Sequence, residues 1–339
     1  MTFGKSKTIT SAAVLVLGGL FVALLIGEIV VLKSGKDLLH LVPYLGDANP
    51  EVHQVLDPKS GRLFGLKKNS TQLYPNNGAS AYRVSINRHG FRNEELSANK
   101  QIGSFRIVVF GGSNTYGALT DQHNTYPKQL EVELNRILPF KVEVWNGGTS
   151  AYNLYQKIAF ASETLTLLKP DLILIQHFIN YGRRPFFKGT EYLEYFRQDS
   201  DLYSENFPFL MSENPNPPLF HSFLVVRSSI YRLILGQLQS SYLARKDFAS
   251  FSKQHYLNAG EHSAEEKFKQ LIKKFDKQKV LFFDPLDRYP KNHYLGIPVL
   301  KLKNRPVAPK YLEVHPPADV YSWYAQELAT ELIEKRLVR

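Results

Sequence analysis

Phe105-Arg-Ile-Val-Val-Phe-Gly-Gly-Ser-Asn-Thr-Tyr-Gly117 decides how this chain folds. An apolar run, Arg106 to Phe110, stops at Gly111-Gly112-Ser113, and a helical pattern follows from Tyr126 to Leu138. A buried strand that breaks at glycines and feeds a helix leaves the next side chain at a strand end. A serine there stands with its hydroxyl free, as a nucleophile must. Any tight strand-to-helix turn uses the same residues, so this stretch alone does not separate a nucleophile from a plain turn.

Three further islands come in order. Asn146-Gly-Gly-Thr-Ser-Ala-Tyr152 closes the run Lys141 to Trp145, and Gln176-His-Phe-Ile-Asn180 closes the run Asp171 to Ile175. Glu313-Val-His-Pro-Pro317 precedes an amphipathic helix pattern, Tyr321 to Leu337. Short apolar runs at 105–110, 141–146, 171–177 and 279–284 alternate with helical patterns at 126–138, 152–168 and 262–275. That alternation predicts an α/β fold, a parallel sheet with helices on both faces. Ligands on such sheets bind beyond the carboxyl ends of the strands. Ser113, Gly148 and Asn180 each fall just after a strand and should meet on one rim.

The order nucleophile, two Gly/Asn strand ends and a histidine before the last helix resembles the SGNH/GDSL hydrolase family. Its four blocks map onto Ser113, Gly148, Asn180 and His315. Ser85-Ile-Asn-Arg-His-Gly-Phe-Arg-Asn-Glu94 is similar to the Asn-x-x-Gly-Phe-Arg segment that precedes the nucleophile block in many membrane-anchored bacterial members. The resemblance covers roughly residues 83–180 and 279–337. It implies a three-layer α/β/α sandwich of flavodoxin-like SGNH type over residues 83–339, and a serine hydrolase acting on esters.

The resemblance makes Ser113 the nucleophile and picks His315 as base from ten histidines. The family's usual aspartate, three residues before the histidine, is Leu312 here. Glu313, two before, either orients His315, or the site works as a Ser–His dyad aided by a backbone carbonyl. Glycine replaces the family's usual aspartate before the serine, at Gly112. Acyl transfer places negative charge on the carbonyl oxygen, and one aimed donor is worth about 3–4 kcal/mol. The candidate donors are the N–H groups of Ser113 and Gly148 and the Asn180 amide. Asn114 is read as holding the turn, His177 as a core histidine or pocket lining, and Arg92 as tying its segment to the domain by ion pairing. Asp284 or Asp287 is a reserve acid for His315.

Residues Ile9 to Leu32 are almost wholly apolar, broken by Glu28. About 20 apolar residues cross a hydrocarbon core of ~30 Å, whereas a cleaved signal has an apolar region of about 7–15. A signal anchor is expected over residues 1–36, with Glu28 near enough to one end to reach the interface. Lys5 and Lys7 on one side and Lys33 and Lys36 on the other leave the positive-inside count nearly tied. The short N-terminal tail and the resemblance both imply a catalytic domain outside the cytoplasmic membrane, in a bacterial periplasm. Residues 37–82, rich in Pro, Gly and Asn, read as a stalk or short β-segments. Residues 183–260 read as an insertion over the site rim, with a helical pattern from Phe220 to Leu243.

The chain has 339 residues and no cysteine, which removes disulfides, thiolate metal sites and cysteine nucleophiles. Its formal net charge is +11, of which residues outside 1–40 carry +9. A basic surface suits anionic headgroups; the scattered lysines do not form a nucleic-acid module. No metal motif or phosphate loop is legible, and no cofactor is expected. Three functions are implied by the resemblance: an esterase removing O-acyl, chiefly O-acetyl, groups from envelope glycans or lipids; an O-acyltransferase working with a polysaccharide-modification partner; or a degenerate glycan-binding or assembly protein.

Overall fold

The computed structural model describes residues 4–34, 36, 52–56, 60, 62, 64–74, 81–150, 152, 154–176, 220–234, 237, 265, 267–287, 289–303, 305–313 and 315–339. Among them, α1 (Gly4–Ser34) is the long N-terminal helix. Its stretch Val14–Ser34, of mean hydropathy 2.7, is long and apolar enough to cross a membrane. Two ladders follow, β1 (His53–Val55) with β2 (Phe64–Leu66) and β3 (Ser70–Tyr74) with β4 (Tyr82–Ile86).

Among the described residues the central sheet has six strands: β5 (Phe105–Gly111), β6 (Val142–Gly148), β7 (Leu172–Gln176), β8 (Val280–Asp284), β9 (His293–Tyr294) and β10 (Ile297–Lys301). They lie in the order β6-β5-β7-β8-β10-β9. All neighbours are parallel except the short β9, which runs antiparallel to β10. The five parallel strands, renumbered among themselves, follow the order 2-1-3-4-5. The order reverses at β5, so the carboxyl end of that strand faces a topological switch point, where open α/β sheets bind ligands.

Alternating side chains explain why both faces are covered. Ile107, Val109, Val144, Leu172, Leu174, Leu281 and Phe283 pack on one face against α3 (Tyr126–Ile137) and α6 (Ala318–Glu334). Val108, Phe110, Trp145, Ile173, Ile175, Val280 and Phe282 pack on the other, against α4 (Leu154–Leu168). The parallel α/β expectation is met on both counts. The strand β10 went unread because Pro298 interrupts its apolar run, and proline demotes a strand reading.

The segment read as a stalk is folded onto this domain in its described part. Phe64 joins the core on the α4 face. The Tyr152 phenol donates to the Phe64 carbonyl, Gln156 Nε2 to the Arg62 carbonyl at 2.7 Å, and Arg62 pairs with Glu163 at 3.1 Å.

The sheet edge at β6 is closed by side chains. Its outward N–H groups donate in turn to Asn135 Oδ1 (Val142, 2.9 Å), Glu131 Oε2 (Val144, 2.9 Å), Asn93 Oδ1 (Asn146, 2.7 Å) and Asn146 Oδ1 (Gly148, 2.9 Å). Its carbonyls at Val142 and Val144 accept from the Asn135 and Asn93 amides, and that at Asn146 from the Arg92 N–H.

Candidate active site

Ser113 opens a single helical turn, α2 (Ser113–Tyr116), directly after β5 and Gly112. The turn folds back against the end of β6, where Gly111 and Gly148 stand in register. Two glycines make that approach possible. A Cβ on Gly111 would lie 1.9 Å from Thr115 Oγ1, and one on Gly148 would lie 2.1 Å from the Tyr116 nitrogen. A side chain can yield; backbone cannot. Gly148→Ala is therefore expected to cost about 3 kcal/mol or more, at the top of the overpacking range. Gly112→Ala, whose Cβ would meet nothing nearer than 3.8 Å, should cost far less. Thermal unfolding of the two variants checks the contrast.

The structure brings two of the expected residues together across 202 positions: His315 Nε2 lies 2.6 Å from Ser113 Oγ. Ser113 is 9 % exposed, and His315 is an exposed residue. A base within hydrogen-bond reach of a serine hydroxyl at a strand end is the pairing nucleophilic catalysis needs. The Ser113 N–H belongs to the first turn of a helix and has no acceptor within it, so it can face a developing oxyanion.

The segment carrying His315 is pinned to α6. The turn Pro309–Leu312 precedes it, Tyr311 packs edge-on against Trp323 at 5.2 Å, and Lys310 pairs with Asp319 in the first turn of α6. Lys310 holds the Asp319 carboxyl below the usual aspartate range. A depressed folded value means the contribution is present above the unfolded range and is lost as pH falls from about 4 through the folded value. Asp319→Asn is expected to lower the unfolding temperature at neutral pH and to match wild type in acid. A pH series of melts reads this directly.

The remaining expected residues divide. Gly148 lies at the site, but its N–H donates to Asn146 Oδ1, so its role here is steric rather than that of an open donor. Among the described residues, no hydrogen bond or ion pair joins the Glu313 carboxylate to His315, and Glu313 is exposed. Asp284 and Asp287 are occupied at the end of β8. Asp284 accepts from the N–H groups of Leu286 and Tyr289 at 3.2 and 3.0 Å, and Asp287 pairs with Lys301 at 3.0 Å. Asn180 and His177 lie outside the described residues, as does most of the 183–260 insertion. Asn114 is buried within α2.

Arg92 corrects one expectation. It is buried, and it binds carbonyls rather than a carboxylate. Nη1 donates to Tyr116 and Gly117 at 2.6 Å each, and Nη2 to Thr120 at 2.5 Å and Arg83 at 3.3 Å. Its guanidinium lies 4.8 Å from the Tyr116 ring centre. Burial lowers its pKa from the ordinary arginine value. The segment before it is built to deliver it. Asn87 Oδ1 accepts from the N–H groups of His89 and Phe91 at 3.0 and 3.1 Å, Gly90 takes φ +85°, and Phe91 enters the core beside Trp145 and Phe160. Arg92 thereby clamps the loop leaving α2.

Sequence reasoning passed over Lys157. It is buried on α4 and donates to the Gln176 carbonyl at 3.1 Å. Its ammonium stands 4.0 Å from where a Cβ on Gly112 would be. The available signal was a lysine inside the apolar run Leu154 to Ala161. An aspartate at 112 would have met this cation; glycine leaves it to the end of β7.

Compared with family models and with curated proteins, the chain matches none.

Proposed function

We propose that this chain is a serine esterase of SGNH/GDSL type that cleaves O-acyl esters, chiefly O-acetyl groups, of envelope glycans or lipids. The observation that carries the reading is the 2.6 Å contact between His315 Nε2 and Ser113 Oγ at the carboxyl end of the first parallel strand. The 2-1-3-4-5 order of the parallel strands supports a flavodoxin-like arrangement, and the Asn87-to-Arg92 segment supports the resemblance to the membrane-anchored bacterial members. The anchor α1 would hold the domain on the outer face of the cytoplasmic membrane.

In this mechanism Ser113 Oγ attacks the acyl carbon while its proton passes to His315 Nε2. The carbonyl oxygen takes the negative charge and is met by the Ser113 N–H and the Asn180 amide. His315 then returns the proton to the departing alcohol oxygen, leaving an acyl-serine. A water molecule repeats the sequence, with His315 taking its proton and Ser113 leaving as the hydroxyl. A sugar hydroxyl in place of that water would make the same site an acyltransferase.

The test is a fluorophosphonate probe with a chromogenic acetyl ester, used on the folded full-length chain. Labelling confined to Ser113 together with ester turnover is the expected result. Labelling without turnover, but with acetyl transfer to an added glycan, would move the reading to transfer. No labelling and no turnover would overturn the enzyme and leave a binding or assembly role.

A further inference from the structure

Glu28 is the only acid in α1 and lies six residues before the end of Val14–Ser34. The apolar run ends at Leu32, so at 1.5 Å per residue Glu28 is about 6 Å inside the apolar span. A carboxylate at such a depth is costly unless its oxygens are satisfied, and its partner marks what the position is for. Here the partners are 200 residues away. Ser228 Oγ donates to Glu28 at 2.9 Å, the Ile230 N–H at 3.2 Å, and the Ser229 N–H to the other oxygen. A Cβ on Gly27 would stand 3.0 Å from Ile230 Cδ1, so the two segments touch closely.

The segment that meets Glu28 is buried in part and exposed in part. It comprises α5 (His221–Arg227), a break at Ser228, and helical residues 229–234. Val225 and Tyr231 pack into the core on the α4 side. Arg232 is also buried and donates to the Val225 carbonyl and to Ser229 Oγ at 2.7 and 2.8 Å. From the same segment Phe220, at the helix cap, and Phe223 and Ile234, in its helical parts, stand 68, 62 and 52 % exposed. Phe223 and Ile234 lie within about 10 Å of Ser228 at helical rise. Single exposed apolar residues are ordinary. These flank a junction with a membrane-length helix.

We infer that residues 220–234 form an interfacial element, and that its exposed face is covered by lipid at the acyl-chain boundary of the bilayer that α1 spans. The inference rests on α1 spanning and not on the ester chemistry. Amphipathic helices in the interface sit about 5–10 Å into the headgroup–acyl boundary, which matches the depth of Glu28. The element is joined to α1 through Glu28 and to the core through Val225. It holds the domain against the membrane instead of at the end of a tether.

The absence of cysteine makes the test clean. Phe223→Cys and Ile234→Cys each carry one environment-sensitive fluorophore, with Ile102→Cys as the reference, because Ile102 is 101 % exposed. The full chain is reconstituted into phosphatidylethanolamine–phosphatidylglycerol vesicles. Labels at 223 and 234 are expected to be blue-shifted, to lose most of their emission to lipids carrying a doxyl group high on the acyl chain, and to resist iodide. Iodide quenching equal to that at 102 overturns the inference. Shielding from iodide without doxyl quenching also overturns it and assigns the face to protein, a second copy included. Glu28→Gln is expected to raise iodide quenching at both labels; no change would overturn the role of Glu28 in fixing depth. Ester turnover does not enter the readout, so failure of the catalytic reading leaves this result standing.

Discussion

Alanine at Ser113 should lower kcat for an acetyl ester by roughly 10⁴-fold or more, and alanine at His315 by about as much, because residues acting as one unit fail as one unit. The 2.6 Å contact makes the prediction sharper than two separate losses. A hydroxyl without its base is a weak nucleophile, and a base without the hydroxyl has nothing to activate. The double variant should therefore be no slower than either single one. Multiplying losses would mean that the two side chains act in different steps. Glu313→Gln should leave turnover near wild type, since its carboxylate makes no contact with His315 among the described residues. A large loss in that variant would mean that the glutamate reaches the imidazole once substrate is bound. Steady-state kinetics on the four proteins, with circular dichroism to show that each is folded, separates these outcomes.

The largest expected effect on stability is at Arg92. Arg92→Met keeps much of the side-chain volume but takes the guanidinium donor from the carbonyls of Tyr116, Gly117 and Thr120, of which Gly117 keeps the Thr120 N–H at 3.3 Å. Each buried acceptor left unpaired costs about 1–3 kcal/mol, so a loss of roughly 3–5 kcal/mol is expected after partial relaxation. Lysine should rescue little, because one ammonium cannot reproduce a planar fork that reaches four oxygens. The same loop leaves α2, so activity should fall further than the folded fraction does. Denaturant unfolding compared with turnover per folded molecule tests both halves. If Arg92→Lys restored stability, the clamp would be a matter of charge rather than of geometry.

Much of the fold was legible because its signals are local. Four of the five parallel strands are short apolar runs that end at Gly, Gln or Asp, and the helices between them carry their own period. The site was half legible. Ser113 announces itself by the glycines before it, and His315 by its place ahead of the last helix. What escaped reading depends on contacts that no window contains. Gly148 resembles an oxyanion donor in sequence, yet its N–H goes to Asn146, two residues away on the same strand. Arg92 looked like half of an ion pair, because four backbone carbonyls leave no mark in a sequence. Glu28 looked like a tolerated charge near a helix end until residues 228–230 came up to it. Pro298 hid β10, since a proline inside a short apolar run argues against a strand.

The side chains along β6 also bear on how this protein lives beside its own copies. A sheet edge with open N–H groups invites another strand. Asn135, Glu131, Asn93 and Asn146 answer that invitation in advance, one backbone amide at a time. A high local concentration, as in a membrane plane if α1 spans one, then does not turn the central sheet into a seam for strand-swapped polymers.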